Sequence, residues 1–346
     1  MPNVEGGKTI AVDGMGGDSA PESVFRGLAA VAPADFRFVI FGDEDILKKH
    51  AHLLPSSLSY EIRHADVAVA PDDSVLSALR RGKNSGMGMA IGLVQTGEAA
   101  AVVSSGNTGL YMALAKIILN TIDGVDRPAI ASVIPGRKGP VICLDLGANS
   151  ECEVKNLVDF AIMGEALARS VFNKSDIRLA LLNIGAENVK GSRLVKKTSE
   201  ILRRLFDNYL GFVEGDYIFN GNADVVVTDG FTGNVALKAI EGTAKYMTTE
   251  LKESLSSSLL SRVGMLLATP ALRKFRKKVD PRLYNGAILL GLKGVVVKSH
   301  GNSDGIGFAN ALRFTMNILN NNIFRRIEEQ LEKSKLQRLS EQGEAL

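Results

Sequence analysis

The sequence predicts an α/β protein in which helices cover both faces of a mostly parallel β-sheet. Short β-branched runs alternate with longer segments whose apolar residues recur at helical spacing. Parallel strands that are buried on both faces have this nearly continuous apolar character. Glycine-rich polar turns join strand to helix at several of these places. We therefore predict one catalytic α/β/α domain over residues 8–324, followed by a charged helix or tail at 325–346.

The composition favours a soluble globular protein over a nucleic-acid binder or a membrane-spanning protein. Hydrophobic residues make up 45% of the 346 residues, enough for a large core. The 41 basic and 38 acidic residues leave a net charge of +3, without the basic excess typical of a nucleic-acid binder. Two cysteines and the lack of a signal-peptide pattern indicate a cytoplasmic setting. No apolar run reaches the roughly 20 residues of a spanning helix, so any membrane contact is expected to be peripheral.

The first strand is predicted at residues 9–12, and the glycine-rich loop Asp13-Gly-Met-Gly-Gly-Asp18 follows it. Residues 19–22 have the pattern of a capping box, with Pro21 in the first turn of the next helix. The loop lacks both Gly-x-Gly-x-x-Gly spacing and the lysine of a P-loop, so it does not predict a nucleotide site.

The rest of the chain continues the alternation of strands and helices. Further strands are predicted at residues 38–41, 60–63, 127–133, 140–145, 179–184 and 291–298. Helices are predicted at residues 83–98, 110–119, 154–171 and from 306 onward. The turn at 136–139 joins two of the strands as a hairpin, so part of the sheet is expected to be antiparallel.

Two strand-to-helix turns share a Gly-x-Thr-Gly pattern, one after the apolar run at 101–103 and one after 225–227. Such a turn directs unpaired N–H groups and a helix dipole at one spot, which suits an anion. One copy alone is explained by a capped turn. Two copies favour an anion site, and we expect both turns to supply polar groups at one end of one sheet. The candidate residues are Ser105, Gly106, Asn107, Thr108, Gly109, Asp229, Gly230, Thr232, Gly233 and Lys238.

Residues 246–282 have the character of an amphipathic helical hairpin. Serines and Arg262 occupy one helical face, and Pro270 is expected to end the helix. A hairpin of this kind lies in a membrane interface or forms a dimer face, and the sequence leaves both open. The apolar face comprises Leu255, Leu259, Leu260, Val263, Leu266 and Leu267.

Taken together, these motifs resemble the acyl-carrier-protein:phosphate acyltransferase family of bacterial phospholipid synthesis. The resemblance covers about residues 10–324, with small departures at Gly14, where alanine is frequent, and at Asn285, where a glycine is common. The segments that carry it are Asp13-Gly-Met-Gly-Gly-Asp18, Ser105-Gly-Asn-Thr-Gly109, Arg127-Pro-Ala-Ile130, Leu144-Asp-Leu-Gly-Ala-Asn149, Leu182-Asn-Ile-Gly185, Asp229-Gly-Phe-Thr-Gly-Asn-Val235 and Lys298-Ser-His-Gly301.

The resemblance implies a Rossmann-like α/β/α fold related to the isocitrate dehydrogenase and phosphotransacetylase folds. It also implies transfer of a long-chain fatty acyl group from acyl carrier protein to inorganic phosphate, giving acyl phosphate. The expected setting is a cytoplasmic homodimer in peripheral contact with the membrane. A membrane glycerol-3-phosphate acyltransferase is the expected next enzyme.

Phosphate can itself attack a thioester carbonyl, so we expect no enzyme nucleophile, no metal and no cofactor. Asn183, Asn234 and His300 are candidates for stabilising the tetrahedral oxyanion, with Lys298 as a nearby cation. His300 is also a candidate for protonating the leaving thiolate, although a structural histidine remains an equal alternative. The carboxylates of Asp13, Asp18, Asp145 and Asp229 are expected to orient lysine or amide donors rather than to hold a metal.

Acyl carrier protein is acidic, so a basic docking surface is expected. Two clusters remain open, one on the basic helix after residue 191 and one at 273–278. Their members are Arg193, Lys196, Lys197, Arg203 and Arg204 in the first, and Arg273, Lys274 and Lys277 in the second. The competing functions are a coenzyme A-dependent phosphotransacetylase, a metal- and NAD-dependent dehydrogenase, and a non-catalytic membrane scaffold. The sequence contains no dinucleotide fingerprint that would favour the dehydrogenase.

Overall fold

The computed structural model describes residues 8–32, 35–66, 81–321, 323 and 325–333. Within this part of the chain, eleven strands form one sheet. The strands are β1 Lys8–Asp13, β2 Phe36–Gly42, β3 Ser59–His64, β4 Ala101–Ser104, β5 Ala129–Ile134, β6 Val141–Leu144, β7 Leu179–Leu182, β8 Tyr209–Val213, β9 Val225–Val227, β10 Ala287–Leu290 and β11 Val295–Lys298.

Helices cover the sheet on both faces. They are α1 Glu22–Val31, α2 Glu44–His50, α3 Gly86–Gln95, α4 Thr108–Leu119, α5 Val154–Phe172, α6 Arg193–Leu205, α7 Gly230–Ser256, α8 Leu259–Val279 and α9 Gly305–Asn320. Residues 325–333 are also helical, and the predicted tail beyond them lies outside the described residues.

The hydrophobic core consists of two layers, one on each face of the sheet. Along β1, Ile10 and Val12 enter one layer and Ala11 enters the other, as the alternation of a strand requires. In the first layer, Phe25 of α1 and Phe308 of α9 are fully buried. The second layer is built from α3 and α4 and includes the fully buried Tyr111. The predicted α/β/α class is therefore confirmed.

The sheet contains two parallel groups that run in opposite directions. Its order is β3-β2-β1-β4-β11-β10-β5-β6-β9-β7-β8. The first five strands in this order, β3, β2, β1, β4 and β11, are mutually parallel. The last four, β6, β9, β7 and β8, are also mutually parallel. Three antiparallel pairings separate the groups, namely β11 with β10, β10 with β5, and β5 with β6. Because three reversals invert the direction, the carboxyl ends of the two groups lie at opposite edges of the sheet.

This topology overturns one expectation from the sequence. The turn at 105–109 follows β4, and the turn at 229–233 follows β9, so the two Gly-x-Thr-Gly turns lie at opposite sheet edges. The expectation that both turns meet at one end of the sheet is wrong. The deciding element is β10, a short antiparallel strand that the sequence analysis did not predict.

Two local predictions are also wrong. The capping box predicted at residues 19–22 is not formed, because Pro21 is the N-cap of α1 and makes no side-chain capping bond. Pro270 lies inside α8 and does not end it, although proline removes one backbone hydrogen bond from a helix. The hairpin instead turns at residues 257–258, so Leu255 lies on α7 while Leu259 begins α8.

None of the described helices is by itself both long and apolar enough to cross a membrane. The pair formed by α7 and residues 259–275 of α8 passes the same test of length and composition, with a bend of 118° between the helices.

Candidate active site

The turn after β4 has the geometry of an anion site. The Asn107 side chain caps α4 by accepting a hydrogen bond from the Leu110 N–H at 3.0 Å. Ser104 Oγ accepts a hydrogen bond from the Gly106 N–H at 3.0 Å, which fixes the turn to the end of β4. The N–H groups of the first helical turn have no intrahelical acceptor, so those of Thr108 and Gly109 remain for a ligand. The positive end of the helix dipole lies at the same place.

Ser105 adds an unsatisfied hydroxyl to this turn. The residue is 4% exposed, and its buried Oγ has no hydrogen-bond partner among the described residues. An unpaired buried hydroxyl costs about 1–3 kcal/mol. An oxyanion bound at the turn would remove that cost, since it accepts hydrogen bonds from hydroxyl and amide alike.

Lys298 supplies a buried positive charge beside the turn. It ends β11 and pairs with Ser104 of β4 in parallel register. The residue is 8% exposed, and its Nζ donates to the Ser299 carbonyl. Burial lowers the pKa of Lys298 to about 8, while the negative charges of Asp13 and Asp18 oppose this shift. A lysine with this pKa is mostly charged at neutral pH and loses its charge in mildly alkaline solution.

The glycine-rich loop after β1 closes over the same place. The Asp18 N–H donates to the Gly301 carbonyl at 2.8 Å, which ties the loop to the chain after β11. A Cβ on Gly17 would lie 2.9 Å from the same carbonyl and from Ser105 Cβ. The loop therefore covers Ser105 and explains why its hydroxyl is shielded from solvent.

His300 approaches this site from the chain after β11. The backbone N–H of His300 donates to Asn285 Oδ1 at 3.0 Å. The ring Nδ1 accepts from the backbone N–H of Asn302 at 3.4 Å. The acceptor role of Nδ1 leaves the proton of a neutral ring on Nε2. Nε2 faces Glu241 Oε1 at 4.0 Å. Glu241 also binds Lys238 at 2.8 Å.

Helix α7 is the element that connects the two sheet edges. It begins at Gly230, at the edge where β9 ends, and its residues Lys238 and Glu241 reach the vicinity of Lys298 and His300. Lys238 thus contributes to the positive potential at Lys298, as the electrostatic interaction between the two lysines shows. The site thus combines the turn after β4, the end of β11 and the middle of α7.

The turn after β9 is satisfied within the protein. The Asp229 carboxylate accepts from the Thr232 N–H and from Thr232 Oγ1, each at 2.8 Å. The Gly230 N–H donates to the Asn149 carbonyl at 2.8 Å, and a Cβ on Gly233 would lie 1.9 Å from the Asp145 carbonyl oxygen. A carboxylate already occupies the end of the helix dipole, which disfavours a second anion. The turn after β4 is therefore the better candidate for an anion site.

Asp145 organises the loop that supports this second turn. It is fully buried and accepts hydrogen bonds from four backbone N–H groups, those of Ile130, Gly147, Ala148 and Asn149, and from the Asn149 side chain. Burial raises the pKa of Asp145, and these hydrogen bonds act in the opposite direction.

Among the residues that the structure describes, no group of three or more His, Cys, Asp or Glu side chains is arranged to hold a metal ion.

The four candidate catalytic residues separate into two pairs. Lys298 and His300 lie at the site just described. Asn183 directly follows β7 at the opposite edge, where its Nδ2 donates to the carbonyls of Gly185 and Lys190 and holds the following loop. Asn234 lies in the first turn of α7 beside Gly147, near the satisfied turn.

Sequence reasoning missed Ser104, Glu241 and Asn285 as contributors to this site. Asn285 Nδ2 donates to Ser299 Oγ and to Ser303 Oγ, each at 2.9 Å, while its Oδ1 positions His300. The only signal in the sequence was that Asn285 replaces a glycine common in the family. Glu241 lies outside the motifs, and its contact with His300, 59 residues further along the chain, gives no local signal.

Comparison with known proteins identifies the family. The family described as "Fatty acid synthesis protein" matches residues 8–326. The chain belongs to this family. A phosphate acyltransferase of Parvibaculum lavamentivorans is 48% identical over 336 residues, covering 94% of this chain and 92% of that protein. One of Granulibacter bethesdensis is 47% identical over 329 residues, covering 94% and 89%. The family resemblance stated from the motifs is thus confirmed.

The solved structures support the fold. A phosphotransacetylase from Streptococcus pyogenes superposes with a TM-score of 0.59 at 17% identity, covering 90% of this chain and 93% of that one. At this identity the likeness shows the fold alone. It confirms the predicted relationship to the phosphotransacetylase fold.

The pKa of Lys298 leads to a prediction about phosphate. We expect the KM for inorganic phosphate to rise as the pH increases through about 8, because Lys298 then loses its charge. In Lys298→Met the KM should be roughly 10- to 100-fold higher at pH 7, the cost of one charge-assisted hydrogen bond. In this variant the KM for phosphate should show no alkaline rise from the titration of Lys298.

The measurement is the KM for phosphate between pH 6.5 and about 9.5 in both proteins, a range spanning the pKa of Lys298. The titration of phosphate itself is common to both, so the ratio of the two KM values isolates Lys298. A ratio that stays constant across this range would contradict the assignment.

Proposed function

We propose that this protein transfers a long-chain fatty acyl group from acyl carrier protein to inorganic phosphate, giving acyl phosphate. Relatives at 47–48% identity over almost the whole chain carry the name phosphate acyltransferase. The structural observation that carries the proposal is the buried Lys298 next to the unpaired Ser105 hydroxyl at the N-terminus of α4. These groups suit a small oxyanion.

In the proposed reaction, an oxygen of bound phosphate attacks the thioester carbonyl carbon. The new C–O bond produces a tetrahedral oxyanion, and its collapse breaks the C–S bond to release the thiolate, which takes up one proton. Ser105, Lys298 and the amides of α4 hold the phosphate. His300 Nε2–H would donate a hydrogen bond to the developing negative charge, Lys238 would stabilise that charge, and the released thiolate would take its proton from water.

The cysteines do not compete with phosphate as nucleophiles. Burial raises the pKa of Cys143 to about 12 and that of Cys152 to about 11. Both thiols stay protonated near neutral pH, and the thiol is a far weaker nucleophile than the thiolate. Direct attack by phosphate therefore needs no covalent acyl-enzyme.

The deciding experiment mixes the protein with palmitoyl-acyl carrier protein and phosphate. We expect release of one free thiol for each acyl phosphate, trapped as the hydroxamate with hydroxylamine, and neither product without phosphate. Palmitoyl-coenzyme A and acetyl-coenzyme A serve as comparison substrates. Faster turnover of acetyl-coenzyme A would favour a phosphotransacetylase, and no turnover of any thioester would favour a scaffold.

Helix α6 is the better of the two basic clusters for carrier-protein docking. Arg193, Lys197 and Arg204 are exposed on it, whereas Arg203 is held by Asn188 Oδ1 at 2.8 Å and lies over the Tyr209 ring. The loop before α6 also exposes Ile184 and Val189, at 78% and 81%. A basic surface with apolar residues beside it suits a small acidic protein.

The second basic cluster lies on α8 beside the exposed leucines of the hairpin. Arg273 and Lys274 are exposed there, and the side chain of Lys277 lies outside the described residues. Cations next to an apolar face suit an anionic membrane surface rather than a protein.

We expect Arg193→Glu combined with Lys197→Glu to raise the KM for palmitoyl-acyl carrier protein about tenfold, because exposed charges steer an acidic partner. The salt dependence of this KM should also weaken. Turnover of palmitoyl-coenzyme A and the KM for phosphate should stay unchanged. The matched control is Arg273→Glu with Lys274→Glu, which should leave the carrier-protein KM unaltered; the opposite pattern would assign docking to α8.

The hairpin of α7 and α8 is proposed to contact the membrane. The most exposed of its large apolar side chains are on α8, with Leu259 at 84%, Leu260 at 83% and Leu267 at 79%. Contiguous exposed apolar surface of this kind marks an interaction site. Peripheral association with the cytoplasmic membrane face, a homodimer, and a downstream membrane glycerol-3-phosphate acyltransferase all follow from the family resemblance as parts of this proposal.

We expect Leu259→Glu combined with Val263→Glu to abolish flotation of the protein with vesicles that contain phosphatidylglycerol, because acidic side chains oppose insertion beside anionic lipid. The control Leu210→Glu changes an exposed leucine far from the hairpin in sequence and should float normally. Normal flotation of the double variant, together with conversion of dimer to monomer in sedimentation, would assign the hairpin to a dimer face.

A further inference from the structure

We propose that Asp13 is a positioning residue of the phosphate site, which fixes the turn at 105–107 through the Ser104 hydroxyl and keeps the neighbouring Lys298 positively charged. The inference rests on the proposed function of that site and goes beyond it. Asp13 begins the glycine-rich loop, and the sequence predicted only that its carboxylate orients lysine or amide donors. It contacts the site only through other residues.

A hydrogen-bonded chain leads from Asp13 to the phosphate turn. Asp13 ends β1 and is 4% exposed, and its Oδ2 accepts from Ser104 Oγ at 2.6 Å. Ser104 Oγ in turn accepts from the Gly106 N–H at 3.0 Å. Because that N–H occupies a lone pair of the hydroxyl, the hydroxyl hydrogen is left for the carboxylate. The Gly106 N–H of the turn is therefore held by Ser104, while the N–H groups of Thr108 and Gly109 remain for the ligand.

The remaining contacts of Asp13 are those of an ionised carboxylate. Its Oδ1 accepts from the Met15 N–H at 3.3 Å, so both oxygens act as acceptors. Burial raises the pKa of Asp13 above its ordinary value, and these hydrogen bonds and the charge of Lys298 counter part of that rise. Each group thus favours the charged form of the other.

Gly16 shows how closely the loop covers this chain of bonds. A Cβ at this position would lie 2.4 Å from Asp13 Oδ2, 2.7 Å from the Gly106 nitrogen and 3.0 Å from Ser104 Oγ. Only a residue without a side chain allows the backbone to approach so closely. The loop therefore excludes water from the Asp13–Ser104 bond, which strengthens its electrostatic effect.

Asp13 is the least screened of the charges that act on Lys298. These charges are Asp13 on β1, Asp18 in the loop after β1, and Lys238 on α7. Asp18 and Lys238 are exposed, so solvent weakens their fields. His300 and Glu241 form a separate contact with each other. The buried Tyr111 hydroxyl interacts with Asp13, and its one hydrogen is shared between the carbonyls of Val102 and Val297.

The test is Asp13→Asn, with the KM for phosphate measured from pH 6 to about 9.5. Removing the buried negative charge lowers the pKa of Lys298 further, so the alkaline rise in KM should move about one pH unit lower. About half of Lys298 is then uncharged at pH 7, so the KM at this pH should rise at least about twofold. The KM for palmitoyl-acyl carrier protein should stay within about twofold, because Asp13 acts on the phosphate side.

Asp18→Asn is the matched control, since it removes the same charge from the same loop at an exposed position. Its alkaline rise should move much less than that of Asp13→Asn. Ser104→Ala is the second variant, which breaks the hydrogen-bonded chain and keeps every charge. It should raise the KM for phosphate without moving the alkaline rise, a combination that general destabilisation does not produce.

The outcomes separate this inference from the proposed function. If wild-type protein forms no acyl phosphate, the proposed function fails. If wild type is active and Asp13→Asn leaves the alkaline rise unmoved, the electrostatic role of Asp13 is overturned. If Asp13→Asn does not fold, an unchanged KM for phosphate in Ser104→Ala overturns the positioning role, and a raised one supports it.

Discussion

A positive charge and an unpaired hydroxyl are buried together where β4 and β11 end, and the arrangement of the site depends on this pairing. Lys298 is 8% exposed and Ser105 is 4% exposed, so bulk water solvates neither group well. The N-terminus of α4 adds amides that also lack acceptors. In the proposed function, one bound oxyanion would satisfy all three kinds of donor at once. Asp13 provides the counter-charge that lets Lys298 remain an ammonium in this environment.

The reversal of strand direction in the middle of the sheet decides which residues share the site. It sends the second Gly-x-Thr-Gly turn to the far edge, where Asp229 and Asn149 satisfy its donors. Helix α7 then crosses back and brings Lys238 and Glu241 towards His300. The second turn therefore contributes by starting α7. Lys238 and Glu241, which reach the site, lie two and three helical turns further along this helix.

Several elements were predictable because their signals are local. The hairpin of β5 and β6 follows from the glycine-bounded turn at 136–139, and α5 was predicted to within one residue of its observed bounds, Val154–Phe172. Pro270 shows the limit of such reasoning. A proline lowers helix stability by a roughly known amount, but whether the helix ends there depends on the rest of the hairpin.

By itself, the sequence determined the family, the α/β/α class and the nature of the chemistry, because motif composition and strand periodicity are local properties. The tertiary structure alone decided that β10 inverts half of the sheet, that the two Gly-x-Thr-Gly turns lie at opposite edges, and that Asp13 reaches the turn after β4 through Ser104, 91 residues away. Strand order and direction are set by which strands pair across the whole chain, and no local pattern records that pairing.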